Sequence, residues 1–360
     1  MSGAMERIKN LRLRWLKLPL VRPYRLSYRT FEEFEPFLIE VEDDHGRKGF
    51  ADVHISPGSS EETRDGGWRF IEAKAAAIIG LATVDAKDLI LKDFEASKGA
   101  ATALVTAIEV IEGNSKLTIE KPVTLPLLVP INATEARAVS EEVETLLGQG
   151  FRTLKVKVGK DVETDLKRVG AIQKACAGRA TLRLDANRAF TRDQGVAFAS
   201  ALDPEGIELF EQPCHADDWI ANAAVAAASP IPLMLDEPIC TLADIERAAQ
   251  VENVRYCKLK LKRFGGLDRL HEGLKAVSDN GMKAVLGDGL GSEIQGWLEA
   301  CIASRTIDNA GEFNGFLKPR SRLFENPLRF VEGTIELPAG YWPKLSQDAV
   351  AGFTATERKF

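Results

Sequence analysis

Thr153-Leu-Lys155-Val-Lys157-Val-Gly159 reads as a single strand, with Leu and Val alternating against two lysines. Side chains two apart on a strand share a face, so Lys155 and Lys157 project together. Ammonium groups side by side repel, and each lowers the other's pKa. Two accounts of the stretch stand at this point. It is an edge strand showing a charged face to water, or a pair built to supply a lysine that can act as a neutral base.

Outward from this strand, short apolar runs alternate with segments of helical period from Leu125 onward. Strands are expected near 128–132, 152–158, 181–185, 207–211, 232–236, 255–260, 283–287 and 308–312. Helices are expected between them, over 135–148, 162–176, 191–202, 241–250 and 266–279. Such alternation means a parallel sheet covered by helices, and eight strands in this rhythm mean a barrel. No Gly-x-Gly-x-x-Gly follows an early strand, which weakens a dinucleotide-binding alternative. Ahead of the barrel, residues 6–17, Phe37–Glu42 and Lys48–Val53 alternate as strands, with a turn at Asp43–Gly46, and residues 61–117 turn helical. The expected class is α/β, with an α+β capping domain (1–124), a barrel (125–318) and a tail (319–360) that returns to the cap.

The composition is that of a soluble globular chain: 360 residues, 45% hydrophobic and 28% charged. A net charge of -6 gives no reason to expect nucleic acid or an anionic membrane as partner. No run of about 18 apolar residues exists to span a bilayer, and the N-terminus lacks the order of a signal peptide. The five cysteines are scattered and form no CxxC pair, as in a reduced, cytoplasmic protein. None of the four histidines is spaced like a zinc ligand, so any metal is held by carboxylates, which favours Mg²⁺.

In barrels of this kind chemistry sits at the C-terminal ends of the strands. Here those ends carry Lys155 and Lys157, then Asp185-Ala-Asn187, Glu211-Gln-Pro, Asp236-Glu237, and Lys258-Leu-Lys260-Leu-Lys262. The steps from Lys157 to Asp185, Glu211, Asp236 and Lys260 are each roughly 25 residues, one βα unit. Asp185, Glu211 and Asp236 therefore converge on neighbouring strands. Such a trio repels itself unless a divalent cation lies between its members. N-capping accounts for an Asp in such a place but not for Glu211. A substrate carboxylate bound there lies between lysines from two sides. Removal of its α-proton needs a dication to stabilise the enediolate and a base with a lowered pKa.

These motifs in combination resemble the enolase superfamily, in its muconate-lactonizing-enzyme subgroup, over essentially the whole chain. The resemblance implies a modified (β/α)7β barrel, Mg²⁺ ligands at Asp185, Glu211 and Asp236, and acid/base catalysts at Lys157 and Lys260. It implies that Lys155 orients the substrate carboxylate and depresses the pKa of Lys157. Lys260 is singled out from Lys258 and Lys262 by its five-residue spacing to Gly265-Gly266. Strand seven, Lys283-Ala-Val-Leu-Gly-Asp288, has no histidine, which sets aside the mandelate-racemase branch.

Two departures from the family pattern stand out. Relatives carry an acid in the loop after strand seven, where this chain has Gly289-Leu-Gly-Ser-Glu293, leaving Asp288 and Glu293 as the nearest acids. Dipeptide epimerases carry Asp-x-Asp at the end of strand eight, where this chain has Glu312-Phe-Asn314. Substrate contacts are therefore expected from Asp288, Glu312 and Asn314, and from Tyr24 and Arg25 in the cap loop over residues 20–33, with Arg22 and Arg29 beside them. The expected function is racemisation or epimerisation of an amino-acid derivative, a small-molecule carboxylate, by a homo-oligomer. Dehydration of the o-succinylbenzoate-synthase kind and cycloisomerisation use the same residues. A Schiff-base aldolase with Lys260 as nucleophile leaves the carboxylate trio without a purpose, and a non-catalytic binding protein does not need all five positions.

Overall fold

Alternating side chains build the first layer. In β1 (Ile8–Leu16), Ile8, Leu11, Leu13 and Leu16 are fully shielded while Lys9, Asn10 and Arg12 are not. The computed structural model describes residues 6–25, 29–57, 61–287 and 289–360; Asp288 of the sequence reading lies outside the described residues. A hairpin of β2 (Leu18–Arg25) and β3 (Thr30–Phe34) follows β1, then β4 (Phe37–Asp43) and β5 (Lys48–Val53). Three helices pack on this layer: α1 (Arg64–Ile78), α2 (Thr83–Leu91) and α3 (Lys98–Ile111). From Gly99 to Ile111 α3 is buried on every side, because β5 covers one flank and the barrel the other.

A short strand, β6 (Val123–Pro126), leads into the barrel, which begins with β7 (Val129–Ile131) and continues through α4 (Ala136–Gly148), β8 (Thr153–Lys157), α5 (Val162–Cys176) and β9 (Thr181–Asp185). Next come α6 (Arg192–Ser200), β10 (Ile207–Glu211), α7 (Trp219–Ala228), β11 (Leu233–Leu235), α8 (Leu242–Ala249) and β12 (Val254–Leu259). It ends with α9 (Leu267–Asp279), β13 (Lys283–Leu286) and α10 (Glu293–Thr306). Strands β7 to β13 form one parallel sheet in chain order, as the βα rhythm requires. Local chemistry sets the helix starts: Asp161 caps α5 through the Thr164 amide, and Thr241 with Asp244 forms a reciprocal capping box on α8.

The tail supplies β14 (Arg329–Val331), β15 (Thr334–Leu337), α11 (Gln347–Phe353) and β16 (Thr354–Lys359). β15 pairs with β6, and β16 lies antiparallel to β1 with Arg12 opposite Lys359.

One expected strand is absent as such. Residues 308–312 form no ladder; Gly311 makes a single parallel bridge to Leu127. Ring closure falls to a few backbone bonds: Gly311 N to Pro126 O (2.9 Å), Leu128 N to Gly311 O (3.0 Å) and Glu312 N to Leu286 O (2.8 Å). A bend at Asp308 and Asn309 opens this segment, and the buried Arg183 guanidinium donates to the Ala310 carbonyl and to the Asn309 side chain from inside the barrel. Gly287, at φ 103°, makes the approach possible, since a Cβ there would lie 2.5 Å from Phe313 N.

Candidate active site

The barrel interior is layered. Leu209, Met234 and Val285, with Tyr256 beside them, form a small apolar cluster apart from the main core. Two residues further along their strands stand Glu211, Asp236 and Lys258, on the same face by strand alternation. The apolar cluster is thus the floor under a charged layer at the strand ends. Strand register places Lys157 opposite Asp185, and Asp185 opposite Glu211. The charged layer opens into a cavity of about 470 Å³, roofed by cap residues including Tyr24, His54, Ser56 and Glu62.

Lys155, Lys157, Asp185, Glu211, Asp236, Lys260 and Glu312 all line this cavity. Among the lining lysines, Lys155, Lys157, Lys258 and Lys260 fall into two tiers. In the lower tier Lys155 lies 2.9 Å from Asp185, 2.8 Å from Glu211 and 3.0 Å from both Glu312 oxygens. Lys258 contacts Glu312 Oε2 and lies 3.2 Å from Glu211 Oε1. In the upper tier Lys157 donates to Asp185 Oδ2 and to Asn187 Oδ1 (2.6 Å), and Lys260 to Asp236 Oδ2 (2.9 Å). Side-chain exposure separates the tiers: 3% and 1% below, 34% and 13% above.

Backbone supports hold these groups. Arg168 of α5 donates to the carbonyls of Ile131, Ala133 and Lys157, fixing the ends of β7 and β8. Gln212, at φ 36°, turns its Oε1 to the Asp236 amide (2.9 Å). Arg263, which the sequence reading passed over, grips Asp236 through both its carbonyl (2.7 Å) and Oδ1 (2.8 Å).

Burial works against every charge in the layer, and the partners decide the outcome. For Asp185 the ammoniums of Lys155 and Lys157 outweigh it and hold the carboxyl below its usual range. Lys260 and Arg263 do the same for Asp236, well below the usual range. Glu211 is pushed up, by burial and then by the Asp185 carboxylate. Lys155 departs from the sequence expectation. Burial would lower it, but Asp185, Glu211 and Glu312 raise it well above an ordinary lysine, so three carboxylates override burial.

The remaining expected residues divide. Tyr24 and Glu312 face the cavity, whereas Arg25 is exposed and Asn314 is buried away from it, its Nδ2 on Leu128 O (2.7 Å). Arg22 and Arg29 do not line the cavity either. Glu293 is removed from the site: its carboxylate accepts the amides of Leu323, Phe324 and Leu328 and anchors the tail on α10. The sequence signal for Lys258 was present in its i, i+2 relation to Lys260; Arg263, in a short 3-10 helix after β12, and Arg188, in the turn after β9, carried none.

The donor set is that of a hard cation, oxygen only, from three consecutive strands. As the side chains stand, those oxygens are turned toward lysines and Arg263. Among the described residues no three Asp, Glu, His or Cys are gathered closely enough for one ion. The chemistry of the donors fits; gathering them needs Lys157 and Lys260 to release Asp185 and Asp236.

A family model described as Enolase C-terminal domain-like matches residues 138–341, and the chain belongs to that family. It is an enolase-superfamily enzyme, of the isomerases and lyases that this barrel carries. The L-Ala-D/L-Glu epimerase of Bacillus subtilis is 25% identical over 347 residues, covering 90% of this chain and 92% of that one. The o-succinylbenzoate synthase of Geobacillus stearothermophilus is 28% identical over 280 residues, covering 72% of each. A dipeptide epimerase from Cytophaga hutchinsonii, solved with Mg and D-Ala-L-Val, superposes with a TM-score of 0.89 at 20% identity, over 98% of this chain and 99% of that one. No described helix is long and apolar enough to cross a membrane.

Proposed function

We propose that the chain is a Mg²⁺-dependent racemase or epimerase that removes and returns the proton α to the carboxylate of an amino-acid derivative. One observation carries this reading. Lys157 and Lys260 stand at the ends of β8 and β12, four strands apart in the parallel sheet that the 308–312 segment closes into a ring, and each is the more accessible lysine of its i, i+2 pair. Two amines facing each other across a cavity reach opposite faces of one carbon. The epimerase activity of the Bacillus subtilis relative supports the same reading.

In the forward direction the neutral Lys157 amine takes the α-proton, and the C–H electron pair spreads onto the substrate carboxylate. The Lys260 ammonium then delivers its proton to the other face, inverting the carbon and becoming neutral. The other antipode runs the sequence backward. Lys155, fixed and charged below, orients the substrate carboxylate. Asp185, Glu211 and Asp236 would hold Mg²⁺, whose charge, when bound, stabilises negative charge developing beside it. Asn187 holds the Lys157 Nζ in position.

The test is α-proton exchange in D₂O across a panel of dipeptides, N-acyl amino acids and proline derivatives. The wild type is expected to exchange both antipodes, while Lys157→Ala and Lys260→Ala each lose one of them by about 10²- to 10⁴-fold. Both variants losing the same antipode would sink the two-base scheme. Loss of water or ring closure in place of exchange would move the reaction to that of the synthase relative.

A further inference from the structure

Three features take no part in that reaction: the Gly289-Leu-Gly291 stretch after β13, the buried Asn314, and Tyr24 on the β2–β3 hairpin. They meet at one side chain. Lys318 donates to Gly289 O (2.6 Å) and to Asn314 Oδ1 (2.8 Å), and its ammonium lies 4.6 Å from the centre of the Tyr24 ring, within cation–π range. Asn314 is itself fixed, through Leu128 O, to the start of the barrel. Backbone bonds run alongside: Val21 N to Lys318 O and Arg320 N to Pro19 O, both 2.9 Å. The first half of strand β2 is therefore fastened to residues 318–320. Leu290, next to Gly289, lines the cavity, as Tyr24 does.

We propose that Lys318 is a positioning residue for the cap-side wall of the cavity, pinning Tyr24 to the loop after β13 and so fixing the space for the part of the substrate remote from its carboxylate. The ammonium suits the task because carbonyl, amide and ring face are all electron-rich and lie on three different segments. A neutral side chain of equal length fills the volume but satisfies none of them. This inference rests on the proposed reaction only for its kinetic half.

The experiment compares wild type with Lys318→Met, Lys318→Arg, Tyr24→Leu and the Lys318→Met/Tyr24→Leu double variant. Without substrate, hydrogen exchange in Leu18–Arg25 and in Gly289–Gly291 is expected to speed up in Lys318→Met and to recover in Lys318→Arg. With substrate, Lys318→Met is expected to raise KM about three- to tenfold for substrates with a large remote group, with kcat within about twofold. The KM effect of the double variant should fall short of the two single effects combined, because both changes remove the Lys318–Tyr24 contact. Unchanged hydrogen exchange in both segments, or fully additive KM effects, would overturn the assignment. A wild type that exchanges no α-proton from any compound would defeat the proposed reaction, and the hydrogen-exchange arm would still decide the role of Lys318.

Discussion

Glu312 shows how a residue's neighbours choose its work. Its carboxylate receives both lower-tier lysines, and although burial would raise its pKa, Lys155 and Lys258 bring it down to about 2. Removing one partner of a buried charge pair leaves the others uncompensated. Glu312→Gln is therefore expected to cost roughly 3 kcal/mol of stability at neutral pH, read from the urea midpoint. Because the folded pKa lies below the usual 4.5, that contribution is present above 4.5 and fades as pH falls toward 2. A variant as stable as wild type at pH 7 would return Glu312 to a free rim acid. At this scale the sequence was readable where strand alternation speaks. The i, i+2 pairs Lys155/Lys157 and Lys258/Lys260 and the repeat-length spacing of Asp185, Glu211 and Asp236 brought the cavity lining together. Which lysine of each pair is sealed was not readable, since depth depends on tilt and on Glu312 from across the ring.

At the scale of elements, α3 and α9 explain why Gly265-Gly266 follows β12. Helix α9 has no side-chain cap of its own; Glu109 of α3 caps it instead, accepting the amides of Leu267 (2.6 Å) and Asp268 (3.1 Å). A Cβ on Gly266 would meet Val105 and Glu109 below 3 Å. Burial raises Glu109 to about 7, with those two amides pulling the other way. A carboxyl raised above its unfolded value stabilises the fold most below pH 4.5, and that contribution is lost as pH climbs through about 7. Glu109→Gln is expected to flatten this slope, worth at most about 3 kcal/mol, when unfolding is followed from pH 5 to 8; an unaltered slope would assign the titration elsewhere. Elements with strong periodicity were legible almost to the residue, α5 and β9 among them. The segment at 308–312 was not, because its backbone partners come from β6 and β13 rather than from its own pattern.

For the whole molecule, ion binding is a stability question as much as a catalytic one. A ligand that binds the folded chain alone stabilises it by about 2.7 kcal/mol at a hundred times its Kd. Mg²⁺ is therefore expected to raise the Tm of the wild type, EDTA to reverse it, and Asp236→Asn to abolish the shift. An unchanged Tm across the millimolar range would remove these carboxylates as its ligands. The cap, meanwhile, is bound to the barrel from several directions, through Glu109, Thr102 and the contact of Lys318 with Tyr24.

The thinnest part of this wall is also its most consequential. Where the other staves of the ring share ladders, Gly311 and Glu312 hold their neighbours by a handful of bonds, and Glu312 leans inward onto the lower-tier lysines, Lys155 and Lys258. The cylinder therefore behaves like a hoop with a single seam, and the buckle of that hoop is electrostatic. Strength of the scaffold and polarity of its hollow are the same quantity here: whatever weakens the grip of the lysines on Glu312 slackens the hoop.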